Sequence, residues 1–146
     1  MTTIFEALRK DHDIQRDLAD KLIQTSGDTE ERRSLYKQLK HELKIHADGE
    51  ERHFYIPLFE DEKTQEHARH GVAEHHEMDE LMEKLDETDM SSPAWLTYAK
   101  QLQDKVHHHL KDEEHTIFQL AGKVLSEKQK GSLANDYQSY IDKERE

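Results

Sequence analysis

Four of the chain's 12 histidines stand at regular distances from one another. His12 and His75 are 63 residues apart, and so are His46 and His109. Glu50 follows His46 by four residues, and Glu113 follows His109 by four. At that spacing a helix presents imidazole and carboxylate one above the other on a single face. Imidazole nitrogen with carboxylate oxygen is a donor set for a divalent transition metal, and it suits iron or manganese with open positions better than a closed zinc site. A single core histidine is ordinarily a hydrogen-bonded structural residue. Four imidazoles and two carboxylates gathered in an apolar core are different, because each buried charge left unpaired costs at least several kcal/mol. Two divalent cations, each with two histidines and with both glutamates bridging, use all six groups: His12, His46, Glu50, His75, His109 and Glu113. Four positive charges against two negative ones leave room for a hydroxide or another anion.

Helices have to deliver these groups. Residues 46–55 read HADGEERHFY and residues 109–118 read HLKDEEHTIF, so both fit H-x-x-x-E-E-x-x-apolar-aromatic. The same offset of 63 aligns Leu18 with Leu81, Lys21 with Lys84, Leu22 with Leu85 and Leu39 with Leu102. Two helix hairpins of similar sequence predict an all-α fold, an up-down-up-down four-helix bundle with pseudo-two-fold symmetry. Thr3 with Glu6 opens the first helix, which runs to about Thr25, and Asp28 with Glu31 opens the second, which runs to about Pro57–Phe59. The third covers roughly Glu62 to Glu87. Ser92 ahead of Pro93 opens the fourth, weakened at its end by Gly122, and Ser126 with Gln129 caps a short additional C-terminal helix over about 126–143. Each long helix carries an apolar stripe interrupted by a histidine, as in Leu8, His12, Gln15, Ala19 or Val72, His75, Met78, Met82. His46 lies about thirteen residues from the end of its helix and His75 about thirteen from the start of the next. At about 1.5 Å per residue the two meet at nearly one height, with His12 and His109 within roughly a turn.

The rest of the composition agrees. A chain of 146 residues is expected to form one domain, with the bundle over about 3–122. Only 5 Gly and 2 Pro against 37% charged residues leave little punctuation for an all-β fold. The absence of Cys excludes disulfide frameworks, thiolate zinc sites and iron–sulfur clusters. A formal net charge of −12 argues against nucleic acid as a partner. MTTIFEALRKDHD lacks an apolar leader core and no run approaches membrane-spanning length, which predicts a soluble cytoplasmic protein. His41, His67, His70, His76, His107, His108 and His115 sit mostly off the stripes and are expected in solvent. His53 is on the ligand-bearing face, and His76 could replace His75, although the repeat favours His75. Glu51 and Glu114 are expected beside the site or at the surface, and the Phe54-Tyr55 and Ile117-Phe118 pairs in the core. Leu133, Tyr137, Tyr140 and Ile141 give the last helix an apolar face, either a homodimer surface or a lid on the bundle.

At these residues the sequence resembles the hemerythrin-like HHE cation-binding family over about residues 3–122. The family pattern is a His early in helix one, HxxxE on helix two, a His on helix three, and HxxxE or HxxxxD on helix four. It falls on His12 in KDHDI, His46 and Glu50, His75 in AEHHEMDELM, and His109 and Glu113. The resemblance implies a non-haem centre of two Fe ions, oxo- or hydroxo-bridged, that meets O2 or a related small ligand such as peroxide or nitric oxide. Oxygen-carrying hemerythrins have a second histidine one turn along helix three, where this chain has Asp79; one turn before His75 it has Gly71. That departure implies an extra open or water-filled position, or recruitment of Asp79. It favours sensing, iron handling or a stress response over reversible oxygen carriage, with a di-iron enzyme acting on peroxide or nitric oxide as the alternative. A ferritin-like di-iron bundle is a weaker match: Glu50-Glu51-Arg52-His53 supplies one Glu-x-x-His motif, and the second would need Asp in place of Glu at Asp104…His107 or Asp112…His115.

Overall fold

The computed structural model describes residues 2–146. Helix α1 is Ile4–Leu22, opened by the expected capping box of Thr3 and Glu6. The chain turns at Gly27, whose φ of 68° is the left-handed conformation that glycine adopts without strain. Thr29, rather than Asp28, then caps α2 (Glu30–Glu50) by accepting from the Arg32 N–H. Asp28 instead pairs with Arg33. A wide π-helical turn, Glu51–Tyr55, leads into the short α3, Ile56–Phe59. Helix α4 is Gln65–Glu87, starting slightly later than the sequence suggested, and α5 is Pro93–Asp112, capped by Ser92 with proline at its first position. A second π turn, Glu113–Ile117, leads into α6, Phe118–Val124. Gly122 therefore does not end the helix. The last helix, α7, is Glu127–Arg145 behind the Ser126–Gln129 capping box. At 19 residues it is as long as α1, a correction to the short appendage expected from the sequence.

Short loops make successive long helices antiparallel neighbours, so α1, α2, α4 and α5 form the up-down-up-down bundle. Among the described residues there is no strand, and no helix is long and apolar enough to cross a membrane. Two separate apolar clusters fill the interior. Ile4, Leu8, Phe54, Tyr55, Leu58 and Phe118 belong to one, and Leu22, Leu39, Met82, Trp95, Leu102 and Val106 to the other. The buried histidines and glutamates lie between them, so the polar layer is sealed above and below by hydrocarbon. Far from it, buried Arg32 ties the loops by donating to Thr25 Oγ1 at 2.9 Å, the Thr25 carbonyl at 2.7 Å and the Met90 carbonyl at 2.6 Å. Helix α7 packs on α1, α2 and the first π turn, burying Ala134, Tyr137 and Ile141. Within the chain it is a lid.

Candidate metal centre

The structure brings all six predicted residues into one buried layer. His12 comes from α1, His46 and Glu50 from α2, His75 from α4, His109 from α5 and Glu113 from the turn that continues it. They form two overlapping groups, His12–His46–Glu50–Glu113 and Glu50–His75–His109–Glu113, and within each the four donor atoms lie within 4.8 Å of one another. Both glutamates belong to both groups. His12 Nε2 is 3.2 Å from Glu113 Oε1, His46 Nε2 is 3.4 Å from Glu50 Oε2, His75 Nε2 is 3.1 Å from Glu50 Oε1, and His109 Nε2 is 3.4 Å from Glu113 Oε2.

The orientation of each ring is fixed from behind. His12 Nδ1 donates to Glu114 Oε2 at 2.6 Å, and His75 Nδ1 to Glu51 Oε2 at 2.7 Å. His109 Nδ1 donates to Glu74 Oε1 at 2.8 Å. His46 Nδ1 meets the Tyr137 hydroxyl at 2.7 Å, and that hydroxyl donates its proton to Asp11 Oδ2 at 2.6 Å, so the hydrogen between His46 and Tyr137 is on the imidazole. With Nδ1 a donor in every ring, Nε2 is the nitrogen turned inward, and it offers a metal its lone pair once any proton on it has left. All four Nε2 atoms, both Glu50 oxygens and Glu113 Oε1 are buried without a hydrogen-bond partner. Buried polar atoms are almost always satisfied, and seven orphans aimed at one layer fit a pair of cations between them.

The electrostatics are those of a site holding protons where cations fit. Burial alone would lower the His12 pKa, but the adjacent Glu113 and Glu114 carboxylates overcome it and raise it to about 9. Likewise Glu50 and Glu51 raise His75 to about 10 against its burial. Burial and the neighbouring Glu50 charge push Glu113 up. Glu50 is held well below the usual carboxylate range: burial opposes ionisation, yet the His46 ring and the neighbouring Glu113 carboxyl outweigh it.

Each π turn sits just after or at a glutamate of the cluster, and such turns often mark functional sites. The first one buries both Phe54 and Tyr55. Tyr55 does more than fill the core, as the sequence had suggested, because its hydroxyl donates to Glu113 Oε2 at 2.6 Å. Its ring stacks on His75 with centroids 5.7 Å apart, and Phe118, the matching residue of the second half, stacks on His12 at 5.8 Å. The Tyr55 hydroxyl lies over Gly71; a Cβ there would stand 2.3 Å from the oxygen.

Asp79 is exposed and belongs to neither group, so it is not recruited in this structure. It lines a groove of about 490 Å³ beside α2 and α4 that also touches Lys44, Asp48, Glu51 and His75. His76 is exposed and pairs with Glu80, and His53 lies beside Tyr140 rather than in the cluster. Sequence reasoning missed Asp11, Glu74 and Tyr137. Asp11 and Glu74 each precede a cluster histidine by one residue and are themselves 63 apart, which was a readable signal. Tyr137 had none, since nothing local tells an aromatic on a lid from one in the core.

Residues 3–121 match the model of the hemerythrin HHE cation binding domain. None of the curated proteins is significantly similar to this chain in sequence. Among solved structures, the crystal structure of a hemerythrin HHE cation binding domain-containing protein from Mycobacterium kansasii superposes with a TM-score of 0.89 at 21% identity, over 99% of this chain and 88% of that one. At that identity the likeness speaks for the fold. The sequence match over most of the chain, on helices that converge their histidines and glutamates as described, assigns the chain to the hemerythrin HHE cation-binding domain family.

Proposed function

We propose that the chain holds a dinuclear non-haem iron centre that binds or reacts with O2 or a related small ligand, in sensing, iron handling or a stress response. The observation that carries this reading is the set of inward-facing, unpartnered donors: four Nε2 atoms, both Glu50 oxygens and Glu113 Oε1, from two glutamates common to both groups. His12 and His46 would hold one ion, His75 and His109 the other, and Glu50 and Glu113 would bridge them. Imidazole mixed with carboxylate fits iron, and four protein ligands per ion would leave positions for an exogenous ligand. Bound there, the iron pair supplies Lewis acidity and redox capacity.

The chain's own residues do the rest. Glu114, Glu51, Glu74 and the Tyr137–Asp11 pair hold the rings in the ligand tautomer. The two apolar clusters keep bulk water from the layer. Tyr55 keeps its proton, because burial and the Glu113 charge raise its pKa well above that of a free phenol. A buried O–H held on a bridging-type carboxylate favours a second reading, an enzyme acting on peroxide, where a fixed hydrogen-bond donor would orient the ligand. Absorption spectra of the iron-loaded protein under nitrogen, in air and with peroxide separate the readings. Colour that returns after repeated oxygenation indicates binding, and oxygen release from peroxide indicates catalysis. A spectrum with no oxo-bridged diferric band under any condition overturns both.

A further inference from the structure

The two halves of the bundle support their second histidine differently. At the offset of 63, Asp11 corresponds to Glu74, His46 to His109 and Gly49 to Asp112. In the second half Glu74 reaches His109 directly, and its other oxygen lies 3.3 Å from Lys105, so α4 and α5 supply everything. In the first half the matching carboxylate is one methylene shorter, and Tyr137 from α7 stands between it and His46. Arg145, on the same helix, donates to Asp11 Oδ1 at 2.9 Å and to Glu42 Oε2 at 2.8 Å, anchoring the far end of α7 on α1 and α2. The close approach depends on Gly49: a Cβ there would lie 2.9 Å from Tyr140 Cδ1 and 3.1 Å from Tyr137 Cε1. The matching position of the second half carries the full side chain of Asp112. Helix α7 also lies outside residues 3–121 that match the family.

We propose that α7 is a working part of one half of the centre: Tyr137 is a positioning residue for His46, so the His12–His46 position is complete only with α7 docked. The His75–His109 position is built by the bundle alone. This rests on the dinuclear metal reading above. The two positions are therefore inequivalent, and the first gives up its ion when the Tyr137 hydroxyl is lost. Removing the partner of a ligating imidazole lowers metal affinity by about ten- to a hundredfold, because ring orientation and tautomer are no longer fixed.

Tyr137→Phe keeps the ring and its packing and removes only the hydroxyl. Wild-type and variant proteins, loaded anaerobically with ferrous iron, are challenged with increasing ferrous chelator, and iron per chain is counted, with circular dichroism as the check on fold. Tyr137→Phe is expected to fall to one iron per chain at a chelator concentration about ten- to a hundredfold below that needed for wild type. Adding His46→Ala to it should remove no more iron, whereas adding His109→Ala should empty the centre. If Tyr137→Phe is not recovered folded, Gly49→Ala, which crowds Tyr137 and Tyr140, is read in its place with the same expectation. Release of both irons at the wild-type chelator concentration overturns the proposal. Wild-type protein that takes up no iron fails earlier and overturns the metal reading itself.

Discussion

Loading the centre with ferrous iron at pH 7 should release about two protons per chain. In the metal-free protein His12 has its pKa raised to about 9 and His75 to about 10, in each case by two carboxylates that outweigh the effect of burial. Both rings are therefore charged at neutral pH, and an ion can take Nε2 only after its proton leaves. Apparent affinity for the pair of ions should rise about tenfold per pH unit for each proton displaced, or about a hundredfold for both, from near pH 7 up to the His12 pKa. The same shifts act on stability. A raised imidazole pKa stabilises the metal-free fold fully below the unfolded value near 6.5, and that contribution is lost as pH rises through about 9 and then about 10. One pKa unit corresponds to about 1.4 kcal/mol, so the two rings together account for several kcal/mol. Metal-free protein should thus melt lower at pH 10 than at pH 7, and the gap to the iron-loaded form should widen over that range. Anaerobic titration calorimetry in two buffers of different ionisation enthalpy gives the proton count directly. Full iron uptake with no proton release would show that these rings are neutral, and would refute the charge assignment.

Five substitutions probe the parts separately. Glu113→Ala should abolish binuclear iron, whereas Glu114→Ala, which frees only the back of His12, should weaken iron by about ten- to a hundredfold; metal analysis after dialysis against chelator separates them. Tyr55→Phe should keep the iron count but destabilise metal-free protein by about 1.5–3 kcal/mol in urea denaturation, the usual worth of a buried hydrogen bond to a charged group. Gly71→Ala should cost about 1–3 kcal/mol of stability, as other overpacked sites do, because its Cβ collides with the Tyr55 hydroxyl; a lower melting temperature reads it out. Gly122→Ala, with open space around it, should instead gain about 0.5–1 kcal/mol in helix propensity.

The bundle and its six central residues were legible because both are written as repetition. Offsets of 63 paired His12 with His75 and His46 with His109, and turn-by-turn stripes placed all four in the core. Caps at Thr3, Ser92 and Ser126 marked helix starts within a residue, since capping is a local hydrogen bond that sequence spells out. Thr29 displaced Asp28 because either side chain can cap, and the choice depends on where the preceding turn at Gly27 aims the chain. The π turns were not legible, as nothing in the local sequence of Glu51–Tyr55 or Glu113–Ile117 tells a π turn from continued α-helix. Nor was the reach of α7, whose Tyr137 and Arg145 contact residues more than 100 positions earlier, a tertiary fact with no local trace.

Anomalous diffraction at the iron edge from crystals of protein grown with iron tests the central claim most directly. Two peaks should appear, one between His12 and His46 and the other between His75 and His109, with Glu50 and Glu113 spanning both. A single peak, or ions at the zinc edge with none at the iron edge, would contradict a dinuclear iron centre built from these six residues.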